Sequence, residues 1–223
     1  MSTVLITGAN RGIGLALAAH HAARGDSVIA VCRHTSHTLD GLGVQVEAGV
    51  DVTRAEDLAR LADKLEGIAI DRVMLNAGVL ERESLGAIDE EAAAAIRRQF
   101  EVNALAPLRV VDALLDRLNE GARIGIVTSR MGSVADNSSG GYYGYRMSKA
   151  AVNAAGRSLA IDLKPRGIAV FLLHPGFVQT DMVGGHGDIS AAAAAATLVA
   201  RMDELGIEQT GSFWHARREP LPW

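Results

Sequence analysis

The 223-residue sequence predicts a doubly wound α/β fold: a mostly parallel, seven-stranded sheet with helices on both faces. Two observations carry that reading. Short runs rich in Val and Ile alternate with longer Ala- and Leu-rich helical stretches, the order expected of βαβ units with right-handed crossovers. Most of the short runs lack polar alternation, as strands covered on both faces of a parallel sheet do.

Taken in order, the first strand is "TVLIT" (3–7), followed by a glycine-rich turn and a helical pattern over 12–24. "SVIAVC" (27–32) and "VQVEAGV" (44–50) are the second and third strands, and a helix over 54–66 leads to "RVMLN" (72–76). A long helical stretch over 89–119 precedes "RIGIVTS" (123–129), and a helix over 143–164 precedes "IAVFLLH" (168–174). The final helix spans 190–204; its "AAAAAA" run is strongly helix-forming and Ser190 is placed to cap it. A short strand near "GSFWH" (211–215) completes the sheet. Gly25, Gly67, Gly121 and Gly167 each stand just past a helix, where C-caps fall. No repeat or linker divides the chain, so a single domain over 1–223 is expected.

Composition narrows the function. A net charge of −4 and the absence of a basic run give no reason to expect nucleic acid. No stretch approaches the roughly 18 consecutive apolar residues of a spanning helix, and "MSTVLITGAN" lacks the charged and apolar regions of a signal peptide. Cys32 is the single cysteine, which fits a reducing compartment, so a cytoplasmic enzyme-sized protein is expected. His34 and His37 lack further ligands for a metal, and no metal site is expected.

The turn "TGANRGIG" runs a strand into a helix N-terminus through Gly8, Gly12 and Gly14. Such a turn brings backbone close to a ligand, while the helix N–H groups favour a phosphate. The spacing differs from the commoner Gly-x-Gly-x-x-Gly dinucleotide fingerprint, and packing alone is an alternative reason for the glycines. At the end of the second strand, where NAD sites usually carry an acid, "AVCRHTSH" has Arg33 and no carboxylate before Asp40. With Arg11 in the glycine turn, two guanidiniums are expected to converge on a ribose 2′-phosphate, so NADP(H) is preferred over NAD(H).

All three tyrosines and one of only three lysines fall in "GYYGYRMSKAA" (141–151). Tyr145 and Lys149, four apart on a helix, share a face with Cβ atoms about 5–6 Å apart. Bringing a tyrosine from pKa about 10 to about 7 takes roughly 4 kcal/mol. A unit charge at about 4 Å supplies about 1 kcal/mol in water and about 4 at an effective dielectric near 20. Lys149 is therefore expected to make Tyr145 a working acid/base in a cleft that excludes water. Ser129 ends a strand, Asn103 places an amide inside a helical stretch, and Pro175, Gly176 and Thr180 follow another strand. These positions gather at the carboxyl edge of the sheet, where open α/β sheets bind ligands.

Together, "TGANRGIG", "DVT" (51–53), "NAG" (76–78), Asn103, Ser129, "YRMSK" and "PGFVQT" resemble the short-chain dehydrogenase/reductase family over essentially the whole chain. Within that family, "GGYYGYRMSKAAVN", "HPGFVQTDM" and "EPLPW" look most like the C-factor-like carbonyl reductases. The resemblance implies a Rossmann-type domain and an oxidoreductase acting on a small-molecule carbonyl or alcohol, assembled as a homodimer or homotetramer. It implies that Tyr145 exchanges the substrate proton, Lys149 lowers its pKa and bonds the nicotinamide ribose, and Ser129 orients the substrate oxygen. It further implies that Asn103 holds a relay water. Gly8, Arg11, Gly12, Ile13 and Gly14 would cradle the phosphates. Asp51 and Val52 would contact the adenine, Asn76, Ala77 and Gly78 its ribose side. Pro175, Gly176, Val178 and Thr180 would flank the nicotinamide.

The chain departs from the family pattern in two informative ways. The loop between Ser129 and Tyr145 is longer than usual and is expected to shape the substrate pocket. Only "MVGGHGDI" separates Asp181 from Ser190, too little for a long lid, so an open site and a large or loosely selected substrate are expected. A cofactor-binding regulator is the alternative of another class. It has no chemical need for Asn103, Ser129, Tyr145 and Lys149 together.

Overall fold

The computed structural model describes residues 1–217 and 219–223. Its strands are β1 (Thr3–Thr7), β2 (Ser27–Val31), β3 (Gln45–Glu47), β4 (Ile70–Leu75), β5 (Leu118–Val127), β6 (Ala169–His174), β7 (Val178–Gln179), β8 (Ile189–Ser190) and β9 (Ser212–His215). Strands β7 and β8 pair only with each other; the other seven form one sheet in the order β3-β2-β1-β4-β5-β6-β9. Every pairing in that sheet is parallel, more uniformly than the sequence led us to expect.

The helices are α1 (Gly12–Ala23), α2 (His37–Asp40), α3 (Ala55–Lys64), α4 (Glu90–Phe100), α5 (Ala106–Ala113), α6 (Tyr143–Leu163) and α7 (Ala191–Glu204). Two cores explain why the strands lack polar alternation. Leu5, Val73 and Ile124 point toward α3, α5 and α6, whereas Val4, Ile6 and Met74 point toward α1 and α7. Successive residues thus bury on opposite faces, and both faces are covered. Among the described residues no helix is long and apolar enough to cross a membrane.

Two expectations about elements need correction. The helical stretch over 89–119 is broken: α4 passes into a π turn at Glu101–Leu105, and α5 ends at Ala113. Gly121 is therefore not a helix cap. It lies within β5 at φ 78°, where the pairing of β4 with β5 slips between Ile70 and Arg72. An extra-residue kink of this kind selects glycine for its positive φ. Ser190 does cap α7, its hydroxyl accepting the Ala193 N–H at 3.2 Å.

Near the end of the chain Arg201 stacks on Trp214 at 5.0 Å, and Trp223 tilts against Phe213 at 5.5 Å. The Trp223 main-chain oxygen accepts the Ala135 N–H (2.9 Å) and the Ser133 hydroxyl (3.2 Å), tying this segment to the loop after β5.

Helix α6 lies unusually close to the sheet. A Cβ on Gly156 would stand 2.9 Å from Leu172 Cδ2 and 3.0 Å from Ile126 Cδ1. This contact sets the depth of the helix that carries Tyr145 and Lys149. Gly156→Leu should destabilise the fold by about 1–3 kcal/mol through overpacking, read as a lower urea midpoint with little change in slope.

Candidate active site

At the carboxyl edge, the order in which strands are added switches from one side of β1 to the other between β3 and β4, and the strand ends there open onto a cleft of about 1300 Å³. Buried side-chain bonds to backbone cross-tie its floor. The Thr7 hydroxyl accepts the N–H groups of Asn76 (3.0 Å) and Ala77 (3.1 Å), while Asn76 Nδ2 donates to the carbonyls of Thr7 (3.1 Å) and Gly8 (3.3 Å). The glycine turn and the start of the connection after β4 are thereby locked together.

Gly8 (φ 67°) and Gly12 (φ 54°) adopt the left-handed backbone that bends the turn under the N-terminus of α1. Gly14 acts differently from the expectation. It is buried outside the cleft, and a Cβ there would stand 2.2 Å from the Gly8 carbonyl oxygen. Its role is close packing of helix on strand, not a phosphate contact. Arg11 and Ile13 line the cleft, as do Arg33, Asp51, Val52, Asn76, Ala77 and Gly78. Arg11 pairs with Asp181 at 3.3 Å, which leaves Arg33 without a carboxylate partner among the described residues. The Arg11–Asp181 pair is exposed and worth at most about 1 kcal/mol, so an incoming anion can displace it.

Tyr145, Lys149, Ser129 and Asn103 are brought together, all nine-tenths or more buried. The Ser129 hydroxyl lies beside the Tyr145 phenol, where it favours the phenolate, and accepts the Met131 N–H at 3.1 Å. Lys149 Nζ lies 5.7 Å from the Tyr145 ring centre and donates to the Val127 carbonyl at 3.0 Å. Its other two N–H donors have no protein acceptor among the described residues. Burial pushes the Tyr145 phenol up to about 12, Ser129 offsetting it only in part, and pushes Lys149 down to about 8. The expected lowering of Tyr145 invoked the charged nicotinamide as well as Lys149, and burial by the protein alone acts in the opposite direction. Excluding water strengthens the pair's attraction, but it penalises the buried phenolate more.

Asn103 sits in the π turn, and π turns often mark functional sites. Its Oδ1 accepts the Val79 N–H (2.8 Å), and its Nδ2 donates to the Val79 carbonyl (2.8 Å) and the Ser148 hydroxyl (3.0 Å). The side chain thus clamps the strand-end loop and does not line the cleft. Pro175, Gly176, Val178 and Thr180 line the opposite wall, with Phe177 and Met182 exposed at the mouth. His174, at the end of β6, meets His215 edge-on at 4.9 Å, and burial pushes it down to about 3, so it is neutral.

Sequence reasoning missed two features. Glu83 accepts the Gly144 N–H (3.2 Å) and Gln99 Nε2 (2.5 Å), tethering the N-terminus of α6, whose N-cap residue Tyr142 offers no side-chain bond. Within the acid-rich segment "ERES" nothing marks that one glutamate as buried. Tyr142 is the one described non-glycine residue with positive φ (52°), in a region that costs on the order of 1–3 kcal/mol. The preceding Gly140 and Gly141 are its only sequence signal.

These residues fit a dinucleotide. The glycine turn leaves its backbone bare beneath a helix N-terminus, and a buried ammonium keeps two donors open. Among the described residues no cluster suits a metal ion.

Comparison with known proteins agrees with the fold and the cleft. The family model of the short chain dehydrogenases matches residues 2–189. Over the full length of both chains the protein is 44% identical to a 1-hydroxy-2-glutathionyl-2-methyl-3-butene dehydrogenase of Rhodococcus sp. (strain AD45). It is 45% identical to the C-signal of Myxococcus xanthus, over 69% of this chain and 93% of that one. An NADPH-bound carbonyl reductase from chicken fatty liver superposes with a TM-score of 0.89 at 26% identity, covering 100% of this chain and 99% of the other. The chain is therefore a member of the short-chain dehydrogenase family, an oxidoreductase with the Rossmann-like fold and nicotinamide chemistry typical of it.

Proposed function

We propose that the protein is an NADPH-dependent carbonyl reductase whose acid is Tyr145. The observation that carries this reading is the contact of Ser129, Tyr145 and Lys149 at the base of one cleft. When bound there, the nicotinamide supplies the hydride. The Ser129 hydroxyl donates to the substrate oxygen, and Tyr145 passes its phenolic proton to that oxygen as negative charge develops. Lys149, with its two open donors, holds the cofactor ribose and steadies the phenolate left behind. Asn103 keeps the Val79 loop in register and, on this reading, holds a water that returns the proton from solvent toward Lys149.

The protonation states favour reduction. A phenol at about 12 is still a far stronger acid than an alcohol, which ionises near the ~15.7 of water, so proton donation to an alkoxide is downhill. Arg33, with no competing carboxylate, supports the choice of NADP(H) over NAD(H), as does the NADPH in the chicken structure. Exposed Phe100, Leu108 and Ile161 on α4, α5 and α6 support a homodimer or homotetramer. The likeness to C-signal favours a second reading, a cofactor-binding regulator of incidental activity.

Following NADPH absorbance with a panel of aldehydes and ketones separates the two. Wild type should turn over, and Tyr145→Phe should lose roughly 10²–10⁴-fold in rate while still binding NADPH. Tight NADPH binding without turnover in either protein sinks the reductase reading. The rate of reduction should also fall as pH rises through about 8, where Lys149 loses its proton. A profile flat to pH 10 argues against a cationic Lys149 in the reacting state. For the cofactor, Arg33→Ala should raise KM for NADPH about tenfold or more and leave that for NADH nearly unchanged; equal effects on both refute the 2′-phosphate role.

A further inference from the structure

The chain carries a net charge of −4, yet its cleft is lined by seven arginines and Lys149 against four carboxylates. A cationic cleft in an acidic protein focuses its field on anions. The glycine-turn end has a ready explanation in the cofactor's phosphates. The tyrosine end does not.

Most of the other lining arginines are spent on the protein. Arg98 forks onto Glu81 (3.2 and 2.7 Å), and Arg130 pairs with Asp136 (2.6 Å). Arg146 donates to the carbonyls of Gly140, Gly141 and Met131 and to the Ser139 hydroxyl. Arg82 has no carboxylate partner among the described residues. Its guanidinium lies over the Tyr142 ring, 5.2 Å from the centre, and both side chains line the cleft. Tyr142 is also the residue held in the left-handed region, three positions before Tyr145. Backbone strain therefore accompanies the placement of this ring beside the reaction centre. A guanidinium stacked on an aromatic face keeps its edge N–H groups free, and that edge matches a carboxylate in fork geometry.

We propose that Arg82, stacked on Tyr142, is a substrate subsite, and that the preferred substrates bear a carboxylate remote from the reacting carbonyl. The reductase reading supplies the reaction, so the proposal rests on it for turnover but not for binding. The short connection after Thr180 leaves the mouth open enough for such an extended anionic molecule.

Two aldehydes of different reach, para-carboxybenzaldehyde and its longer biphenyl analogue, are each compared with their neutral methyl esters. For at least one length, wild type should reduce the acid with a kcat/KM about tenfold or more above its ester. Arg82→Ala should abolish that preference through KM, with the ester rate unchanged, and Arg82→Lys should restore part of it. Calorimetric titration of para-toluic acid and its biphenyl analogue, which carry the carboxylate but neither a carbonyl nor an alcohol to react, in the presence of NADP⁺ reads the subsite without turnover. If the acids bind in an Arg82-dependent manner and no aldehyde is reduced, the subsite stands and the reductase reading falls. Equal handling of acid and ester at both lengths, or equal loss on both with Arg82→Ala, overturns the subsite.

Discussion

The site depends on a positive charge kept where water is scarce. Lys149 is 5% exposed, its one protein acceptor is the Val127 carbonyl, and burial has already drawn its pKa down to about 8. Holding an ammonium there costs stability, because the desolvation of a buried charge is only partly repaid by a single neutral acceptor. The linkage runs with pH. Between the lowered folded value and the ordinary 10.5 the unfolded chain binds more protons, so this residue's contribution to stability improves as pH rises through that window. The fold tolerates the deficit because the same charge is what the chemistry uses: it stands one helical turn from Tyr145, with two donors open to the cleft.

Keeping that charge in register requires walls that do not move. Parallel strands deliver their ends to one edge but leave the connecting loops unpaired, and three buried polar side chains fix those loops. Thr7 ties the glycine turn to Asn76 and Ala77, Asn103 ties the π turn to Val79, and Glu83 ties the same loop to the start of α6. Each bond joins a side chain on one element to backbone on another. Removing any of these side chains leaves buried backbone groups without partners, a cost of about 1–3 kcal/mol. The site is thus held by bonds from the loop after β4 to strand β1, to the π turn and to the start of α6, and the close packing of α6 supplies the depth.

The strands and both helical layers were legible because a two-sided parallel sheet writes itself as apolar runs separated by helices. Tyr145, Lys149 and Ser129 were legible from spacing and from their place at strand and helix ends. Gly14 was misassigned because a glycine needed for close helix–strand contact looks, in sequence, like one needed for a ligand. The break at Asn103 was missed although Pro107 marks it, since a proline in the first turn of α5 fits the start of a new helix and the π turn itself adds only one residue. The burial of Tyr145 was not legible for a physical reason: spacing reveals the partner charge but not how deeply the ring is covered. The pairing of Arg11 with Asp181 was not legible because the two lie 170 residues apart.

The open mouth has a chemical consequence. A long lid excludes water and selects by shape, whereas here Phe177 and Met182 stand exposed beside a connection only a few residues long. Selection must then come from charge and from what the rim side chains can grip. Of the seven arginines lining the cleft, Arg11, Arg98 and Arg130 pair with carboxylates and Arg146 with neutral acceptors, while Arg33, Arg82 and Arg97 have no carboxylate partner among the described residues. Arg146 organises the long loop after β5 through four acceptors, so that loop is fixed without a lid above it. Arg33 and Arg82 are available, one beyond the end of β2 and one beside the start of α6. A cleft with free cations on both sides of a buried acid suits a reaction in which cofactor and substrate are both recognised as anions. The neutral reacting carbonyl is then brought to Tyr145 by the charges that flank it.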